Sequence, residues 1–74
     1  MSAHHHTNYE RLGWVAKNKG EFAKALTYFD KALYYHQKPY FALHGKGECL
    51  LSLGDVEQAE ECFNKAIQID THHP

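Results

Sequence analysis

With 74 residues, 43% hydrophobic and 23% charged side chains and a net charge of −1, the chain amounts to one small domain whose core is marginal in size. A near-neutral balance offers no basic footprint for nucleic acid. No apolar run approaches the roughly eighteen residues of a membrane span.

The opening Met1-Ser2-Ala3-His4-His5-His6 lacks the apolar core of a secretory signal, so 1–6 is read as a leader or tag remnant outside the fold. Thr7 and Asn8 carry oxygens suited to capping a helix. Tyr9, Leu12, Gly13 and Ala16 then follow the spacing of one helical stripe, predicting a first helix over about 8–19. Gly20 ends it, because glycine accepts the left-handed conformation of many helix ends. Glu21 restarts the chain with an acidic side chain favoured at a helix N-terminus. Phe22, Ala25, Leu26, Phe29, Ala32 and Leu33 mark the second helix, ending near Tyr35 or His36. Lys38 precedes Pro39 and is biased away from helical backbone. Pro39 suits the first turn of a third helix, where its missing N–H goes unneeded. Leu43, Gly47 and Leu50 carry that helix to Leu53-Gly54. Asp55 opens a fourth, followed by Val56, Ala59, Phe63, Ala66 and Ile67, and the chain frays from Asp70, with 72–74 as a tail. Connections this short make neighbouring helices antiparallel. The fold class is all-α: four helices in two hairpins, 7–38 and 39–71.

The hairpins are copies. Gly13, Gly20, Ala25, Phe29, Lys31 and Ala32 recur thirty-four residues later as Gly47, Gly54, Ala59, Phe63, Lys65 and Ala66. A period of this length signals stacked supersecondary units. Tyr9-x-x-Leu12-Gly13-x-x-Ala16 with Ala25-x-x-x-Phe29 and Ala32, and Leu43-x-x-Lys46-Gly47-x-x-Leu50 with Ala59-x-x-x-Phe63 and Ala66, resemble two tetratricopeptide (TPR) repeats. The resemblance covers about residues 6–71. It implies a short right-handed α-solenoid that binds proteins or peptides. Three departures stand out. Lys46 occupies a usual core-leucine position and must snorkel. Ala16 replaces a large aromatic, which leaves a local gap or admits a neighbour's side chain. Gln37 and Thr71 stand where a proline is expected.

In such a repeat the first helices line a concave groove for an extended peptide or a partner's helix. The residues this assigns to the groove are Glu10, Trp14, Lys17 and Asn18, then Phe41, His44, Glu48 and Leu51. Lys17 and Asn18 suit a carboxylate, but Glu10 and Glu48 oppose an acidic peptide, which disfavours a carboxylate clamp. Trp14 lies beside the core stripe and is the sharpest candidate for an interface anchor; packing on the leader or on the third helix is the alternative. Tyr28, Tyr34, Tyr35 and Tyr40 exceed what one hairpin core consumes, so some pack between repeats and others could cover a self-association surface.

Seven histidines raise a metal reading. His6 with Glu10 and His44 with Glu48 are i, i+4 pairs, and the period would make Glu10 and His44 neighbours across the groove. Solvated histidines without metal are the preferred reading. Cys49 and Cys62 form no paired framework and read as buried free thiols of a reducing compartment, so a cytoplasmic location is the expectation. Phosphate-loop, nucleophile-elbow and H-E-x-x-H motifs are lacking. His36 and Cys49 have no spacing that joins them as base and nucleophile. The expectation is a non-catalytic, cofactor-free protein-interaction module. The alternative is a self-associating repeat scaffold: a homodimer, a hairpin-swapped assembly or an engineered chain, with a His/Glu metal site at the interface as a lesser variant.

Overall fold

The computed structural model describes residues 7–71, without the side chains of 70 and 71. The leader 1–6 and the tail 72–74 lie outside the described residues. Four helices appear in order: α1 Tyr9–Asn18, α2 Phe22–Tyr34, α3 Pro39–Ser52 and α4 Val56–Thr71. Among the described residues there is no strand.

The helix ends follow from local chemistry. Asn8, not Thr7, caps α1: its Oδ1 accepts from the Arg11 N–H at 3.0 Å. Asp55 Oδ1 accepts from the Gln58 N–H at 3.2 Å, so α4 begins one residue later than the sequence predicts. Glu21 likewise stands just before α2, but without a side-chain capping bond. Gly20 and Gly54 close their helices at φ +81° and +92°, where a side chain would be strained. α2 stops at Tyr34 because His36 and Lys38 turn left-handed, at φ 57° and 40°. Pro39 then sits in the first turn of α3.

Phe29 is the centre of the packing and is fully buried. Its ring is wedged between two glycines. A Cβ on Gly13 would stand 2.6 Å from the ring, and one on Gly45 would stand 2.3 Å from it. Gly47 plays the part of Gly13 in the second hairpin, with a Cβ there 2.7 Å from Phe63. The hairpins are joined by α2 against α3. Ala42 and Cys49 enter the cluster of Tyr9, Ala16, Ala25, Phe29 and Ala32, while Leu26 and Leu33 pack on that of Leu43, Leu50, Ala59, Cys62 and Ala66. Lys46 snorkels as its position requires, reaching Asp30 Oδ1 at 2.8 Å across this junction. The backbone of α1 also approaches α3, whereas among the described residues the backbone of α4 approaches that of α3 alone. The pair α1 and α3 therefore forms the inner side of a short solenoid.

Gln37, at the expected proline position, ties the first hairpin to its own start. Its Nε2 donates to the Thr7 carbonyl and its Oε1 accepts from the Tyr9 N–H, both at 2.8 Å. Its own N–H donates to the Ala32 carbonyl at 2.8 Å, a bond that proline would forfeit. Gln37→Ala is expected to cost about 1–3 kcal/mol, by leaving part-buried backbone groups unpaired. Urea unfolding of the two proteins measures it.

Candidate functional site

The inner face is built from one side of α1 and one side of α3. Trp14 is half-buried, edge-on to Phe29 at 5.5 Å between centroids and stacked on His44 at 6.3 Å. It thus packs on α3 while keeping part of its ring open. Lys17 Nζ lies 5.4 Å from the Trp14 ring and 2.8 Å from Glu48 Oε1. Glu48 Oε2 lies 3.2 Å from His44 Nδ1. The His44 ring also meets Phe63 edge-on at 5.5 Å and Tyr40 at 6.3 Å. An aromatic cluster and an ion pair share one surface.

At the flanks, Phe41 is 51% exposed and Leu51 46% exposed. Phe41 leans on Tyr40 edge-on at 5.2 Å. Asn18 is exposed at the end of α1, and Glu10 is half-buried.

One sequence expectation needs correction. Glu10 does not meet His44; the neighbour of His44 on α1 is Trp14. Likewise Lys17 reaches Glu48, whose 34-residue counterpart is Trp14. The α3 residues therefore face α1 residues about one helical turn further along than equal repeat positions would. No group of three His, Cys, Asp or Glu able to hold an ion occurs among the described residues. His6 lies outside them.

The remaining candidates are structural. Cys49 and Cys62 are free and buried. Burial is the main cause that raises both thiol pKa values, which makes them poor nucleophiles at neutral pH. His36 is exposed in the turn after α2. Much of the tyrosine run is consumed by packing: Tyr9 stacks on Tyr35 at 5.7 Å and on Tyr28 at 6.5 Å. Tyr34 stays 77% exposed, edge-on to Tyr35. The gap expected at Ala16 is a cleft of about 120 Å³ on the outer side, lined by Leu12, Val15, Ala16, Lys19 and Tyr28 among others. No helix among the described residues is long and apolar enough to cross a membrane.

Paired antiparallel helices stacked so that their first members line one face define a helical-repeat solenoid. Models of the tetratricopeptide repeat match residues 6–38 and 40–73, and the chain belongs to that family. Repeats of this family typically mediate protein–protein interactions. A TPR repeat-containing protein of Methanocaldococcus jannaschii is 42% identical over 61 residues, covering 81% of this chain and 10% of that protein. The chain thus spans about a tenth of that relative's length. An uncharacterized protein of the same organism is 36% identical over 66 residues, covering 86% of this chain and 74% of its own length. No solved structure matches the chain.

Proposed function

We propose that the inner face of α1 and α3 binds a peptide or helix of a partner protein, with Trp14 as the central anchor. The observation that carries this is the half-buried Trp14 ring, packed against Phe29, His44 and Lys17, on a face whose α3 side also carries exposed Phe41 and Leu51. An aromatic ring already packed against its neighbours loses little entropy on binding. Lys17 is already engaged by Glu48, so a ligand carboxylate would have to displace that pair. The surface therefore favours apolar and aromatic side chains over an acidic chain end. Nothing in this reading is catalytic: Cys49 is buried beneath the surface that His36 occupies no part of.

Selection of a random peptide library on the chain tests it. Trp14→Ala is expected to weaken the selected peptides by about 30-fold or more, roughly 2 kcal/mol. Unchanged affinity in a variant of unchanged helicity contradicts the reading.

A second reading, association between copies of the chain, rests on other residues. Leu12 and Val15 on α1 and Val56 and Ile67 on α4 are exposed at the two ends of the stack.

A further inference from the structure

We propose that copies of this chain associate head to tail, the outer face of α4 of one copy docking on the outer face of α1 of the next. The inference makes the second reading specific, and it is independent of the groove. The α2–α3 junction supplies the template. There Phe29 meets Gly45 and Asp30 meets Lys46, so the two helices run past each other in a defined register. Carried forward thirty-four residues, the α2 side becomes Val56, Glu60, Phe63, Asn64 and Ile67. Carried back by the same offset, the α3 side (Ala42, Gly45, Lys46, Cys49) becomes Asn8, Arg11, Leu12 and Val15. Both derived faces lie at the ends of the stack. Phe63, the counterpart of the fully buried Phe29, is only half-buried, and Leu12 and Val15 are exposed where Lys46 and Cys49 are covered.

Charge says which faces meet. The exposed carboxylates Glu57 and Glu60 lie along the outer stripe of α4. Exposed Arg11 lies along that of α1 and exposed Lys19 just past its end, with Lys24 beside them on α2. Glu21 is also present there, 4.0 Å from Lys24, and leaves the face net basic. Two α4 faces would repel each other; an α4 face and an α1 face attract. In the template register Glu57 comes opposite Lys19. Glu60 stands one turn from the position that Arg11 faces, within reach of its long side chain. The same register brings Val56 to the cleft beside Ala16.

Arg11 also sets the strength. Where Gly45 lets a ring touch the backbone, Arg11 holds the second copy further off, so the contact is polar, salt-sensitive and weak. Because its two sides differ, it does not close at two copies.

Sedimentation equilibrium across a concentration series at low and high salt tests this, with two charge-reversed variants whose changes are all at exposed positions: Arg11→Glu/Lys19→Glu and Glu57→Lys/Glu60→Lys. The unaltered chain is expected to gain average mass with concentration at low salt and to lose it at high salt. Each variant alone is expected to associate at least about tenfold more weakly, and an equimolar mixture to recover association. A chain that stays monomeric throughout overturns the proposal. So does a mixture that fails to recover, or association that is lost on Trp14→Ala and kept in both charge variants.

Discussion

Phe29→Ala is expected to remove half or more of the folding free energy of the chain. Emptying a fully buried aromatic position costs about 3–5 kcal/mol, the lost transfer energy plus the cavity left behind. A domain of this length has roughly 4–11 kcal/mol in total, and a small core places it toward the lower end. The cavity would open where α1, α2 and α3 meet, since the ring touches Gly13 and Gly45 from opposite sides. Neither glycine has a side chain that could swing in to fill it. Urea unfolding followed by circular dichroism measures the loss. A change below about 1 kcal/mol would mean that Phe29 is not the keystone of the packing. Phe63→Ala should cost less, because its ring is already partly in water.

Gly45→Ala is expected to destabilise although it improves helix propensity. In an exposed helix interior the exchange gains about 1 kcal/mol. Here the new methyl would stand 2.3 Å from Phe29 Cζ, and the ring has Gly13 behind it and cannot retreat. The helices must separate instead, at about 1–3 kcal/mol for an overpacked core. The sign is what the measurement reads. Gly20→Ala has no such contact and is strained only by its positive φ, so its loss reports backbone alone. A Gly45→Ala variant more stable than the parent would show that α3 does not approach α2 this closely.

These glycines mark where the sequence was legible and where it was not. Gly13, Gly20, Gly47 and Gly54 repeat, and the repeat led directly to the hairpins and their ends. Gly45 does not repeat, since its counterpart is Arg11, and the period therefore does not mark it. The difference is one of contact: Gly45 has the Phe29 ring of α2 against it, whereas Arg11 is exposed. The mismatch of Leu12 with Lys46 has the same origin, because Lys46 has Asp30 to meet. Departures from a repeat can thus encode contact with a neighbouring helix as readily as they encode function. The mismatches of Trp14 with Glu48 and of Glu10 with His44 fall on the inner face instead. Their contacts could not be read from the period alone, which fixes equivalent positions but not the one-turn offset between α1 and α3. That offset pairs Lys17 with Glu48, so a carboxylate that looked like an obstacle to an acidic ligand is first of all a partner within the fold.

The most direct test of the central claim, that the inner face is where a partner binds, is a nitrogen-15 NMR titration with a library-selected peptide. The indole N–H of Trp14 and the backbone amides of Phe41, His44 and Leu51 are expected to shift together and saturate at one affinity. Shifts confined to α2 and the outer face of α4, with the Trp14 indole unmoved, would contradict it.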